Sequence, residues 1–438
     1  MQRLPTKEDL SRPPTEEEAD RLQVTTLQYY LHETNPATGL IRDKTDRGAP
    51  ASIAAVGLGL ANIPVLVDRG VIAREFAPEV ALRGLRFFRD SPQGPEPDAT
   101  GYRGFYYHFL DMKTGRRVWN CEVSTIDSTF LLAGMLTCAA YFDADTAEEA
   151  EVRRVADDLY RRADWQWALA GGAAVSHGWR PETGFIPHTW TGYDEALLIY
   201  LLGLGSPTFP LPPESYAAYC STYRWKTIYA REVLYSGPLF THQLSHLWID
   251  FRGIQDAFMR SHGSDYFENT RQATYIQQEY ARRNPLEFAG YGEYCWGITA
   301  SDGPGFEQRR VNGIDQKFYG YQARGAPYGP DDGTVSPWVV AASLPFAPEI
   351  VIPTLRAMVG IDFGTTIRYG FWPSFNPTYA VPDSPTGWWV TPYHFGIDQG
   401  PVSLMVENYR TGLIWNIMRR CPYVVAGLRR AGFQGGWL

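Results

Sequence analysis

Residues 192–200 read Gly-Tyr-Asp-Glu-Ala-Leu-Leu-Ile-Tyr, so two adjacent carboxylates, Asp194 and Glu195, open an apolar run just after an aromatic segment ending in Trp190. Like charges this close raise the proton affinity of one member. A carboxyl that keeps its proton near neutral pH can act as a general acid. The plainer reading makes Asp194 an N-cap and Glu195 a complement to the helix dipole. A second acid pair, Glu122 and Asp127, brackets Val123-Ser124-Thr125-Ile126. Asp127 stands three residues after Ser124, as in a capping box. Glu122 has no capping role and leaves an apparent strand near Trp119, so either acid suits a base or a ligand for hydroxyls. Asp398, ahead of Gln399-Gly400-Pro401, suits an N-cap. However, Trp388-Trp389-Val390-Thr391-Pro392-Tyr393-His394 lead into it, and a bare cap requires no such cluster. Asp302 ends a run of small residues after Trp296, where an Asx-turn is the plainer reading. Several carboxyls beside aromatic rings are the equipment for cleaving a glycosidic bond.

The aromatic residues fit the same chemistry. Trp296, Trp372 and Trp388 lie in Gly- and Pro-rich segments, as do Tyr291 and Tyr393. Core packing explains rings there less well than stacking on sugar faces does. His394 suits a hydrogen bond to a hydroxyl, orientation of Asp398, or a structural role. His242 and His246 have a metal-like i, i+4 spacing, but no acid lies between them, so no metal site is expected. The sequence has no GxGxxG after a strand, no Walker loop and no HExxH motif, and no cofactor is expected.

The elements that must position these residues are mostly helical. Thr15-Glu16-Glu17-Glu18 forms a capping box for a helix running to about residue 32. Apolar periodicity predicts further helices over 50–69, 77–90, 124–142, 145–170, 193–203, 213–232, 240–250, 265–283, 336–344, 348–359, 400–418 and 420–432. Hairpins are expected around Met112-Lys113-Thr114-Gly115 and Pro181-Glu182-Thr183-Gly184. Long Gly- and Pro-rich intervals, 290–337 and 369–401, are where a helical scaffold carries function.

Composition sets the limits. The 438 residues are 44% hydrophobic and carry a net charge of −8, with no Lys/Arg-rich block, so a nucleic-acid partner is not expected. Aromatics reach 14%, including 14 Trp and 27 Tyr, a surplus that suits a surface stacking flat rings. The five cysteines are odd in number and form no CxxC pair, which points to free thiols and a reducing compartment. The run from Ala51 to Val67 is interrupted by Asn62 and Pro64 and reads as a buried helix rather than a membrane span. Residues 1–10 contain no apolar leader core. The location expected from the sequence as written is therefore cytoplasmic, or periplasmic or secreted if a leader has been removed.

Several segments, taken in series, resemble one family. They are Ser124-Thr125-Ile126-Asp127 with Leu131-Leu132-Ala133-Gly134, Gly192-Tyr193-Asp194-Glu195-Ala196, Gly203-Leu204-Gly205-Ser206-Pro207-Thr208, and residues 297–303. Asp332-Gly333-Thr334, residues 344–350, residues 396–401 and residues 407–412 complete the series. The chain, from about residue 20 to about residue 432, resembles the bacterial glucoamylase-like family that includes endo-β-1,2-glucanases. The resemblance implies an (α/α)6 toroid with short β-hairpins and long functional loops at one end, formed by residues 1–438 as one catalytic domain. It implies activity on β-linked glucose polymers, β-1,2-glucan foremost, by inversion in most members and transglycosylation in some relatives. Glu195 matches the family's general acid. Asp127 and Asp398 match positions implicated in its site, either of which could be the base. Glu122, Asp302 and the loop aromatics would then bind hydroxyls and sugar faces. Many members are exported, and the absence of a leader in this sequence departs from that pattern. The rival expectations are an exo-acting or transglycosylating relative and a non-catalytic glycan-binding protein. The oligomeric state is left open.

Overall fold

Two helices, Ile53–Ala61 and Leu197–Gly205, are apolar on every face, and the computed structural model buries both along their whole length, as a helix without a polar side requires. The structure describes residues 15–363 and 368–438; the expectation of no leader over residues 1–10 falls outside them. Thr125–Tyr141 and Gly396–Arg410 are also buried over most of their length, as is the short Pro337–Ala341. Helices buried along a single stripe alternate with these: Glu16–His32, Ala77–Asp90, Ala147–Arg162, Tyr266–Arg283, Pro348–Val359 and Pro422–Arg430.

Each buried helix touches at least one other. Ile53–Ala61 packs on Thr125–Tyr141, which meets Leu197–Gly205, and Pro337–Ala341 packs on Gly396–Arg410. Gly396–Arg410 then returns to Ile53–Ala61, joining late chain to early chain. The striped helices cover them, Ala147–Arg162 over Thr125–Tyr141 and Glu16–His32 over Gly396–Arg410. Two crossings need glycine. A Cβ on Gly134 would run into the Gly57 carbonyl, and one on Gly427 into the Leu201 carbonyl.

All but one of the expected helices are present with shifted ends, and the differences have local causes. The helix expected over 193–203 starts at Leu197, because the Asp194 side chain accepts the Ala196 N–H (2.9 Å) and holds a turn ahead of it. The 145–170 helix stops at Arg162. The 213–232 helix ends at Cys220, and Trp225–Ile228 pairs with Arg231–Leu234 as a hairpin turned by Tyr229 and Ala230 at positive φ. Residues 240–250 form two 3-10 turns, Leu239–His242 and Leu244–Leu247, instead of an α-helix. The 400–418 helix begins at Gly396 and breaks at Gly412, where φ is 69°.

The fold is therefore mainly helical rather than purely so. Five strands form one antiparallel sheet in the order Gly101–Tyr102, Phe105–Tyr107, Val123–Ser124, Gly178–Arg180, Gly184–Phe185. The 181–184 hairpin lies within this sheet. The 112–115 hairpin closes through a single bridge, Leu110 to Arg117, with the Asp111 N–H on the Arg116 carbonyl at 2.8 Å, while the other edge of Phe109–Leu110 pairs with Ala51–Ser52. The Gly-rich interval also holds a hairpin, Glu307–Val311 with Ile314–Phe318. All five cysteines are free thiols. Among the described residues, no helix is long and apolar enough to cross a membrane.

Candidate active site

Ser124 caps Thr125–Tyr141. Its hydroxyl accepts the Asp127 N–H at 3.2 Å and donates to the Asp127 carboxylate. The neighbouring strand Phe105–Tyr107 leads into His108, whose backbone N–H donates to the Glu122 carbonyl at 2.9 Å. The imidazole is thereby set between two acids, with Nδ1 3.1 Å from Glu122 and Nε2 3.5 Å from Asp127. Burial alone would push His108 down. The charges of Asp127, Glu122 and Asp43 outweigh it and lift the imidazolium to about 9. Burial would likewise lift Glu122, but its hydrogen bond with His108 and the charges of His108 and Arg180 bring it to about 2. Arg180 reaches Glu122 from the adjacent strand at 3.2 Å.

Asp43 belongs to a loop zipped to the start of Gly396–Arg410. The Gly396 N–H donates to the Asp43 carbonyl (2.8 Å), and the Thr45 N–H to the His394 carbonyl (3.0 Å). Burial lifts Asp43 to about 6; His108 and Lys44 oppose this, while Asp302 and Asp127 add to it. Asp398 is not the N-cap, a position held by Phe395, but the third residue of the helix. Burial, then the charges of Asp302 and Asp43, hold its carboxyl well above the ordinary range. Asp302 is also raised, by burial, against Lys44 and Arg324.

Glu195 and Asp194 share the turn before Leu197. Burial comes first for both, and for Glu195 the charges of Asp194 and Asp127 follow, so its carboxyl retains a proton far above the usual glutamate range. Tyr321 ties the group together. The residue is 69% exposed overall, but burial around its hydroxyl, and after it the charges of Asp398, Glu195, Asp127 and Asp302, raise the hydroxyl pKa.

The structure thus brings together Glu195, Asp127, Asp398, Glu122 and Asp302, and adds Asp43, Lys44, His108 and Tyr321, which the sequence did not single out. Trp296 needs correcting. It has no exposed surface and its Nε1–H donates to Thr354 Oγ1 at 2.9 Å, so it is core and cannot stack on a sugar. Tyr291 is corrected too: its hydroxyl is committed to Asp331 at 2.8 Å and its ring to Phe288, in loop packing. Trp372 stacks on the buried His394 with 4.6 Å between centroids, and burial lowers His394 to about 4. Trp388 is half-buried in the strand Trp388–Val390, and Lys44 sits 4.8 Å from the centroid of the Tyr393 ring. His242 and His246 are core residues, with His242 Nε2 on the Ser236 carbonyl and His246 Nε2 on Thr270.

One outcome follows from the imidazolium. Its proton affinity is higher in the folded state than the unfolded 6.5, so its stabilisation is complete below pH 6.5 and lost as pH rises through about 9. His108→Gln should therefore lower the melting temperature most at pH 6, and the difference should vanish by about pH 10. A difference that stays constant across this range in melting curves would remove His108 as the cation of the site.

The family described as "Putative glucoamylase" matches residues 187–422 of the chain. The exo beta-1,2-glucooligosaccharide sophorohydrolase (non-reducing end) of Parabacteroides distasonis is 28% identical over 455 residues, covering 95% of this chain and 58% of that protein. The chain therefore spans little more than half the length of this curated relative. A solved structure bearing the same glucoamylase description, from Bacteroides uniformis, superposes with a TM-score of 0.84 at 30% identity, over 98% of this chain and 100% of that one. The endo-beta-1,2-glucanase of Chitinophaga pinensis, solved with sophorotriose and glucose, gives 0.82 at 25% identity, over 97% and 100%.

Proposed function

Because the chain belongs to the glycoamylase family, we propose that it is a glycoside hydrolase cleaving β-1,2-glucan or its oligosaccharides, with the alternating buried and striped helices forming an (α/α)6 toroid as one catalytic domain. The observation that carries this reading is the convergence of acids from five separate segments on one site, with Glu195 holding its proton where ordinary glutamates have lost theirs. The names of the relatives supply the substrate class.

In this reading Glu195 delivers its proton to the glycosidic oxygen, directly or through a substrate hydroxyl. Asp398 and Asp127 are the two candidates for the base that activates water. Asp127 is tied to Ser124 and His108, whereas burial and two neighbouring carboxylates make Asp398 the stronger base once ionised. We assign the base to Asp398 and give Asp127 the task of holding His108. Acid and base on opposite faces of the sugar give inversion, and the surrounding carboxylates stabilise an oxocarbenium-like transition state. Glu122 and Asp302 are assigned to hydroxyls and Trp372, Trp388 and Tyr393 to the walls of the sugar site, with the buried His394 backing Trp372 rather than touching sugar.

The test is product analysis on linear β-1,2-glucan, β-1,3-glucan and starch, with the anomer followed by NMR. Release of the α-anomer from β-1,2-glucan is expected. A single disaccharide product would mark exo action and a ladder endo action. Turnover of starch alone would sink the substrate assignment, and binding without turnover would replace the enzyme with a glycan-binding protein.

A further inference from the structure

Trp119 and Asn120, consecutive residues with side chains, have left-handed backbone at φ 57° and 49°. The Cys121 N–H donates to the Val118 carbonyl at 3.1 Å, closing a four-residue turn with positive φ at both central positions. Such turns are dominated by Gly, Asn and Asp. Asn120 suits its place, but a bulky Trp at the first central position is strained.

The turn is braced so that the strain persists. Arg117, with 2% of its side chain exposed, donates Nε–H to the Cys121 carbonyl at 2.6 Å and pairs with both oxygens of Glu182 at 2.6 and 3.1 Å. The Cys121 thiol reaches the Phe109 carbonyl at 3.4 Å. The ring held in this way does not enter the core, since Trp119 is 65% exposed. It meets Phe109 at 5.1 Å between centroids, and Phe109 in turn stacks on His108 at 3.9 Å with 12° between the planes. A ladder of three rings therefore leads from solvent to the cation at the centre of the acids. Glu122, which holds that cation, leaves the same turn.

A large apolar ring kept in water against backbone strain is not explained by folding. We infer that Trp119 is the stacking platform of an outer subsite, taking the C–H face of a glucosyl unit beyond those that touch the acids. The inference rests on the proposed action on β-glucans and adds to it a preference for longer chains. The indole offers a flat apolar face at the outer end of the ring ladder that leads to His108, and its fixed backbone keeps the ordering cost of binding low.

The experiment compares KM for a linear β-1,2-linked glucotrisaccharide and heptasaccharide in wild type, Trp119→Gly and Trp119→Tyr. Glycine relieves the backbone strain, so Trp119→Gly should melt at or above the wild-type temperature. It should also raise the heptasaccharide-to-trisaccharide KM ratio by roughly three- to ten-fold, the loss of one stacked ring. Trp119→Tyr keeps a ring and should restore most of the ratio. A wild-type ratio in Trp119→Gly overturns this inference alone, while a wild type that neither cleaves nor binds any β-glucan overturns the hydrolase reading with it.

Discussion

Glu195→Gln is expected to lower kcat on β-1,2-glucan by about 10²–10⁴, the usual loss when a positioned proton donor is removed, with KM little changed. The amide keeps the shape and the hydrogen-bonding capacity of the carboxyl but cannot give up a proton to the leaving oxygen. Stability should move the other way. The proton affinity of Glu195 is raised on folding, so the stability of its protonated form is present at low pH and lost as pH rises through its raised pKa. The mutant carries no such titration, and its melting temperature relative to wild type should climb as pH increases. The activity profile has its own sign. It rises as Asp398 loses its proton, above the ordinary aspartate range, and falls as Glu195 loses its own, above the ordinary glutamate range. Stopped assays across pH, paired with melting curves, check all three statements. A Glu195→Gln enzyme with wild-type kcat would end the assignment.

Arg324→Met is expected to destabilise the protein by about 3–5 kcal/mol, the cost of leaving one member of a buried ion pair without the other. Both side chains are fully buried, with Nε 2.7 Å from Asp332 Oδ1 and Nη2 2.8 Å from Oδ2. The guanidinium also donates to the Ser301 carbonyl at 2.8 Å and to the Tyr319 carbonyl at 3.2 Å. The first carbonyl adjoins Asp302 and the second lies two residues from Tyr321, so the fork pins the part of the site carried by the long loop. Denaturant unfolding should show the loss, and kcat should fall with it although Arg324 is not assigned to the substrate. Changing Asp332 to Asn in the same chain removes the orphaned charge but keeps an oxygen for the Tyr319 and Thr334 N–H groups, and should recover part of the stability, but not the position of Asp302. Wild-type unfolding of Arg324→Met would mean that the loop is held by other contacts.

The acids that the sequence singled out have local signatures. Asp127 follows a capping serine, Glu195 abuts an apolar run, and Asp398 opens a helix. Asp43 and His108 have none. Each reaches the site through a neighbour remote in sequence, Asp43 through Gly396 and His108 through the pairing of its strand with Val123–Ser124. Trp296 misled because its glycine neighbours imitate an open loop, whereas Thr354 and the helix Pro337–Ala341 enclose it. The helices without a polar face were legible as core. The hairpin at 225–234 was not, since Trp-Lys-Thr-Ile and Arg-Glu-Val-Leu are too short for a period of two to stand out from the helix before them.

The zipper between the Asp43 loop and the 394–396 segment also bears on how the protein is made. His394 and Thr45 are separated by 349 residues of chain. At a synthesis rate of about 5–20 residues per second, Asp43 waits roughly 20–70 s on the ribosome for its partner. During that interval Ile53–Ala61, which has no polar face, lacks the late helix that closes over it. The nascent chain therefore presents an apolar seam for most of its synthesis, a natural substrate for chaperones. Until that seam has shut, Asp398 is not set beside Asp43, and the pairing proposed for Glu195 and Asp398 has no site to act in.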